Sequence, residues 1–293
     1  MNSTRCTLCP HHCTLPEGGS GFCGVRTNQK GRIQSETYGL VSGVALDPIE
    51  KKPLYHFHPG AQILSVGGFG CNMRCPFCQN HNIASPPPNP APFHARGGKR
   101  LPPEQLALLA QKYAPQGNIG VAYTYNEPLI NYEYVLDCAK AVSNLSMKNV
   151  LVTNSLLNPK PFENLLPYIH AMNIDLKGFS EEFYSKLTYG GTLPETEPPR
   201  DFPALATVKN TITQAQRHCH IEVTTLVIPG ENEAHIEPIA QWLAQLSPEI
   251  PYHLSRFFPR HNYADKAPTP KETLLRLAKA ARKHLQYVYI GNV

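Results

Sequence analysis

A chain of 293 residues with 41% hydrophobic side chains can build one large α/β domain or two ordinary ones around an ample core. Lys and Arg number 27 against 22 Asp and Glu, a formal charge of +5 spread without a long basic run, which argues against nucleic acid as a partner. No apolar stretch approaches the roughly 20 residues of a membrane span, and the opening MNSTRCTLCPHHC lacks an export signal's apolar segment, so the expected compartment is the cytosol.

Residues 1–30 carry Cys6, Cys9, Cys13 and Cys23 among Gly18, Gly19, Gly21 and Gly24, at spacing C-x2-C-x3-C-x9-C. Cysteine clusters in a reducing compartment point to metal rather than disulfides. A structural Zn2+ is the preferred occupant, because a short segment without a core gains folding energy from it. An auxiliary [4Fe-4S] cluster is the alternative, with His11 and His12 as spare donors. A short strand-like stretch follows, then DPIEKKPLYHFHPG (47–60), where His56 and His58 alternate on one face.

From residue 62 apolar or β-branched runs alternate with helical patterns. Strands are predicted at 62–67, 118–125, 149–154, 171–177, 220–228 and 252–258, with a last short strand at 286–290. Helices are predicted at 103–114, 128–143, 160–168, 202–216, 233–246 and 270–284. Such alternation implies parallel strands with right-handed crossovers, in a full or partial (β/α) barrel or an open doubly wound sheet. Cys138 is at helical spacing from Val135 and Val142 and reads as core; Cys219 begins a strand and reads as packing. The proline-rich loop 85–100 and the loop 189–201 exceed simple connectors, so each either lines a binding site or covers the surface.

The segment FGCNMRCPFCQN places Cys71, Cys75 and Cys78 in the loop after the first barrel strand. Ligands collect at the carboxyl ends of parallel strands. Three thiolates there can hold three irons of a [4Fe-4S] cluster and leave the fourth open; a zinc site completed by His81 is the alternative. Later strands end in Asn126 and Glu127, Thr153 and Asn154, Asp175 and Lys177, an apolar Ile228 and Pro229, and His253 and Arg256. Together these describe a pocket for a zwitterionic, polyhydroxylated ligand. Asp175 and Lys177 share a strand face, and an internal ion pair is the competing reading.

The C-x3-C-x-aromatic-C pattern, with Phe77 in the aromatic slot, resembles the radical SAM superfamily, and the likeness extends over most of residues 61–260. NIDLK and PYH look like segments of the pyruvate formate-lyase activating enzyme branch; NEP keeps that branch's glutamate, Glu127, and replaces its glycines. CTLCPHHC, GFCGVR, DPIEKKPLYHFHPG, GCNMRCPFCQN and YTYNEP together resemble the radical SAM component of the AmmeMemoRadiSam system. The resemblance implies an α/β partial (β/α)6 barrel over 61–293, preceded by a cysteine-rich, metal-binding extension and lid over 1–60. It implies that S-adenosylmethionine (SAM) chelates the open iron. A low-potential donor, flavodoxin or ferredoxin, then drives reductive cleavage to a 5′-deoxyadenosyl radical, which abstracts hydrogen from a substrate. Glu127 is then the acceptor for the methionine ammonium, with Asn126 beside it. Asp175 takes ribose hydroxyls or orders the carboxylate end, Lys177 pairs with that carboxylate, and Thr153 and Asn154 add hydrogen bonds. Phe77 and the Ile228–Pro229 edge flank adenine, and His253 and Arg256 face SAM or substrate. The expected substrate is a small anionic molecule, with Lys51 and Lys52 for its charge. Installation of a glycyl radical on a partner protein is the rival within the class, and a non-catalytic zinc-ribbon nucleic-acid binder the rival outside it.

Overall fold

The computed structural model describes residues 3–85, 93, 97–188 and 203–293. Its centre is an eight-stranded sheet: β1 (Gly43–Pro48), β2 (Gln62–Gly67), β3 (Asn118–Thr124), β4 (Lys148–Thr153), β5 (Ala171–Asp175), β6 (His220–Val227), β7 (Tyr252–Arg256) and β8 (Val288–Gly291). Each strand lies beside its neighbours in sequence. Every pair from β2 to β8 is parallel, and β1 adds antiparallel to β2. The parallel pairs require crossovers, which α1 (Pro103–Lys112), α2 (Tyr132–Asn144), α3 (Pro159–Leu165), α4 (Glu181–Thr188), α5 (Ala204–Ala215), α6 (Ile236–Leu246) and α7 (Lys271–Ala281) supply. Among the described residues β1 and β8 do not pair with each other, so the barrel stays open. The six expected strand–helix units are those from β2 to α7. No helix among the described residues is long and apolar enough to cross a membrane.

Strand alternation sorts the side chains. Val121, Tyr123, Leu151, Met172, Ile174, Val223, Val227 and Leu254 pack outward against Leu106, Val135, Phe162, Ile212, Ile239 and Leu274 of the helices. Cys138 is fully buried in this layer, and Cys219 packs against it while its thiol donates to the Ala215 carbonyl at 3.5 Å. Between β2 and β3 the register slips at Gln62/Leu64, where Asn118 Oδ1 accepts from the Leu64 amide at 2.8 Å. At Gly120 an added Cβ would lie 1.9 Å from the Lys148 carbonyl oxygen of β4.

Two expectations change, that of a division at residue 60 and that of a lid, and the cysteine-rich segment adds local structure. The cysteine-rich segment contains short antiparallel pairs, Thr4–Arg5 with Thr14–Leu15 and Arg26–Gln29 with Arg32–Ser35. The division at residue 60 cuts through one sheet, because β1 belongs to it. Residues 49–60 plug the barrel rather than cover it: Ile49 and Leu54 are fully buried against Ile63, Ala122, Val150 and Ala171, toward the strands' amino ends. Burying two such side chains contributes about 1.5–3 kcal/mol each. Much of the loop 85–100 and all of 189–201 lie outside the described residues, and the helix α4 was not expected from the pattern.

Candidate active site

β2 ends in glycines because the chain must turn tightly into the cysteine loop. Gly68 N donates to Asn126 Oδ1 at 2.8 Å, and Asn126 Nδ2 donates to the Gly70 carbonyl at 2.9 Å. Gly70 has φ +81°, and a Cβ there would sit 2.6 Å from the Cys23 carbonyl oxygen. Arg74 fixes the loop from the other side. Its guanidinium donates to the carbonyls of Cys71 (2.8 Å) and Phe22 and lies 4.2 Å from the Phe22 ring centroid. His11 Nε2 contacts the Asn72 carbonyl at 2.9 Å, so the N-terminal segment is docked on the loop at several points.

The loop places Cys71, Cys75 and Cys78 on the wall of a cleft of about 370 Å³ at the carboxyl ends of the strands. Phe77, Asn126, Glu127, Thr153, Asn154, Asp175 and Lys177 line the same cleft. Burial raises all three thiols, Cys75 to about 11, with the Glu127 carboxylate adding to the rise at Cys71. Thiols held this way need a metal to become thiolates. Among the described residues no three His, Cys, Asp or Glu side chains are arranged to hold a single metal ion. Ligands on separate irons stand farther apart than ligands on one ion, so the donor set fits a cluster better than zinc. His81 Nδ1 lies 3.2 Å from the Cys78 carbonyl, and its ring stacks 4.4 Å from that of His261.

Glu127 is the best-supported acid in the cleft. Its carboxylate accepts from Leu129 N at 3.0 Å, Thr153 Oγ1 at 2.8 Å and Asn154 N at 2.8 Å. Burial outweighs those bonds and lifts its pKa to about 7. Asn154 Nδ2 donates to Asn72 Oδ1 at 2.9 Å and reaches Cys71 Sγ at 3.7 Å. Lys177 Nζ lies 2.8 Å from Asp175 Oδ2. Burial alone would lower the Lys177 pKa, but Asp175 and Cys75 reverse this and hold it raised.

Four expected residues are elsewhere. Ile228 is buried behind Phe77 with Phe183, Leu187 and Phe257, and Pro229 follows it outside the lining. His253 stands at the amino end of β7, its Nε2 2.6 Å from the buried Glu222. Arg256 donates through Nε to the Thr269 carbonyl at 2.7 Å, on the face opposite the cleft-lining Ser255. His56 and His58 are also away from the cleft; His56 Nε2 meets the Tyr289 hydroxyl at 2.6 Å. Asn72, Arg74, Asn80, Tyr125 and Thr224 were missed. Alternation along β6 points to Thr224 and Leu226, whereas the others sit in loops whose partners are remote in sequence.

Cys6, Cys9, Cys13 and Cys23 converge on a second, small cavity of about 10 Å³, together with His11, Arg26 and Ile130. Arg26 holds this segment to α2 through two 2.8 Å bonds to Glu133.

An uncharacterized protein of Methanocaldococcus jannaschii is 38% identical over 298 residues, covering all of this chain and 82% of that protein. The structure of SuiB from Streptococcus suis bound to S-adenosylmethionine aligns at a TM-score of 0.54 and 14% identity, over 75% of this chain and 47% of that one. QueE from Escherichia coli aligns at 0.51 and 10% identity, over 88% and 95%. These two likenesses concern the fold. The sequence pattern of the radical SAM superfamily itself matches residues 65–243, from within β2 to within α6 and across the whole cysteine loop, and the chain is therefore an enzyme of the radical SAM superfamily.

Proposed function

We propose that Cys71, Cys75 and Cys78 hold a [4Fe-4S] cluster whose fourth iron takes SAM, in the cleft where a substrate loses hydrogen. The observation that carries this is the convergence of exactly these three thiols with Glu127, Asp175 and Lys177 on one cleft. When bound, cluster and SAM supply one-electron reductive cleavage of the C5′–S bond, giving methionine and a 5′-deoxyadenosyl radical that takes a hydrogen atom from the substrate. The electron comes from a low-potential donor such as flavodoxin or ferredoxin, in the cytosol.

The protein's own residues bind and orient. Glu127 has three internal donors and one lone pair to spare for an N–H of the methionine amino group. Lys177 pairs with the methionine carboxylate, and Asp175 accepts from the ribose hydroxyls. Phe77 and Leu226 form an apolar wall for adenine. The Asn154 amide beside Cys71 Sγ tunes the cluster by hydrogen bonding to sulfur. Cys6, Cys9, Cys13 and Cys23 line one small cavity and bind a metal that keeps the N-terminal segment docked on the cluster loop. Zinc is the preferred occupant and an auxiliary [4Fe-4S] cluster the alternative, since the four thiols are not closed up around a single ion here. Membership of this enzyme superfamily leaves the zinc-ribbon nucleic-acid reading without support.

Anaerobic reconstitution tests the proposal. Iron and sulfide should bind, the reduced EPR signal should change on adding SAM, and 5′-deoxyadenosine should form; Cys75→Ala should abolish all three. Zinc at this site after anaerobic reconstitution would sink the reading.

A further inference from the structure

The wall of the cleft also carries two cations, Lys51 and Lys52, to which the proposed cluster and SAM contacts assign no role. They belong to the plug, and the plug is firmly mounted. Ile49 and Leu54 are fully buried, Glu50 accepts from Gly60 N at 2.6 Å, and Glu222 accepts from His56 N at 2.7 Å. Asn173 Nδ2 donates to the Pro53 carbonyl at 2.8 Å. Lys52 keeps only 4% of its side chain exposed, with its ammonium 2.8 Å from Asp47 Oδ2 and 5.0 Å from the Tyr125 ring centroid. Lys51, 66% exposed, reaches Asp47 Oδ1 at 3.2 Å. Asp47 thus serves both ammonium groups, and it also accepts the Tyr125 hydroxyl at 2.9 Å.

One carboxylate cannot neutralise two cations, so the group keeps a net positive charge. Each ammonium has three donors, and the named contacts use one of each. Burial lowers the Lys52 pKa against the pull of Asp47, which shows how poorly the charge is solvated. Tyr125, which walls the pair, is itself fixed in place. It is a non-glycine residue at φ +72°, held by Asn80 Nδ2 on its carbonyl at 2.6 Å and by Gly67, where a Cβ would lie 2.8 Å from its ring. Such backbone strain persists where the surroundings over-determine it and concentrates at functional sites.

We infer that Lys51 and Lys52, walled by Tyr125, form an anion subsite in which a carboxylate or phosphate group of the substrate is seated on the wall of the cleft that the plug supplies. The hydrogen loss from that substrate rests on the radical SAM reading; the anion site itself does not.

The cluster-loaded protein is titrated by calorimetry with inorganic phosphate and, separately, with acetate. The wild type should bind at least one, and Lys51→Gln should weaken that binding about tenfold while cluster content stays unchanged. Lys51 is the chosen position because it is largely exposed, whereas Lys52 is almost fully buried against Asp47 and its replacement would endanger folding. Binding of phosphate alone marks a phosphoryl substrate, and of acetate alone a carboxylate. No binding of either anion, or equal binding by Lys51→Gln, overturns the inference. In a second arm, cell extract is separated on an anion exchanger and assayed for stimulation of 5′-deoxyadenosine formation. The stimulating small molecule should be retained on the resin. Stimulation confined to the flow-through, or to a protein fraction and destroyed by protease, refutes the subsite as a substrate site, and the protein result returns a glycyl-radical activase. Loss of the SAM-dependent EPR change in the wild type would instead remove the radical SAM reading and leave the anion titration standing.

Discussion

Glu127→Gln keeps the shape of the side chain on which the ends of β3 and β4 converge and removes its charge. The wild-type pKa rises from an ordinary 4.5 to about 7, chiefly by burial, with Asp175 adding to the rise. The ionised carboxylate therefore costs the fold about 3 kcal/mol relative to the unfolded chain. A raised acid stabilises only while protonated: its contribution is present below about pH 4.5, fades as pH rises and is gone above about pH 7. Glutamine removes that cost but turns one acceptor into an amide facing a donor, a loss of about 1–3 kcal/mol. Ligand-free stability above neutral pH should therefore change little. SAM affinity should behave differently. A hydrogen bond from the amino group to an ionised carboxylate contributes about 1.5–3 kcal/mol, so the Kd should rise roughly 10- to 150-fold. Below about pH 7 wild-type affinity should also fall more steeply than that of the glutamine variant, by up to about tenfold per pH unit, because only the wild type adds the protonation of Glu127 to the ligand's own titration. Anaerobic equilibrium dialysis of SAM against cluster-loaded protein, from about pH 6 to about pH 8, measures both. Wild-type affinity in the variant, or the same pH dependence in both proteins, would refute the amino-group contact.

Gly120→Ala should cost about 3 kcal/mol or more in chemical denaturation, since its methyl group collides with the β4 backbone; a near-neutral result would mean that β3 and β4 separate easily. Glu222 accepts from His253 and His220, and these bonds overcome burial to lower its pKa to about 2. Its stabilisation is present above about pH 4.5 and lost toward about pH 2, and Glu222→Gln should destabilise the protein at neutral pH and flatten that acid limb. An unchanged acid limb in thermal melts would show that the histidines do not support it. Cys9→Ser should lower the melting temperature and remove one zinc while the barrel cluster survives. Iron lost in place of zinc, by elemental analysis, would reverse the metal assignment.

The order of strands and helices and the three-cysteine loop were legible because both are local. Apolar periodicity declares each element over a few residues, and ligands of one cluster arrive from one short loop. Glu127, Asp175 and Lys177 could be found because they follow strands whose carboxyl ends share a rim. What only the tertiary structure decided is where side chains end up once strand limits and partners are fixed. β7 begins at Tyr252, so His253 lies at its amino end beside Glu222, about 10 Å along the strand from Arg256. Alternation then turns Arg256 away from the cleft that Ser255 lines. The segment 47–60 reads as a loop with two lysines. It became a plug because Ile49 and Leu54 find apolar partners on β2, β3, β4 and β5, contacts that no local pattern records. Periodicity is written in neighbouring residues, but burial is set by partners far along the chain, and that difference separates what the sequence determined from what folding decided.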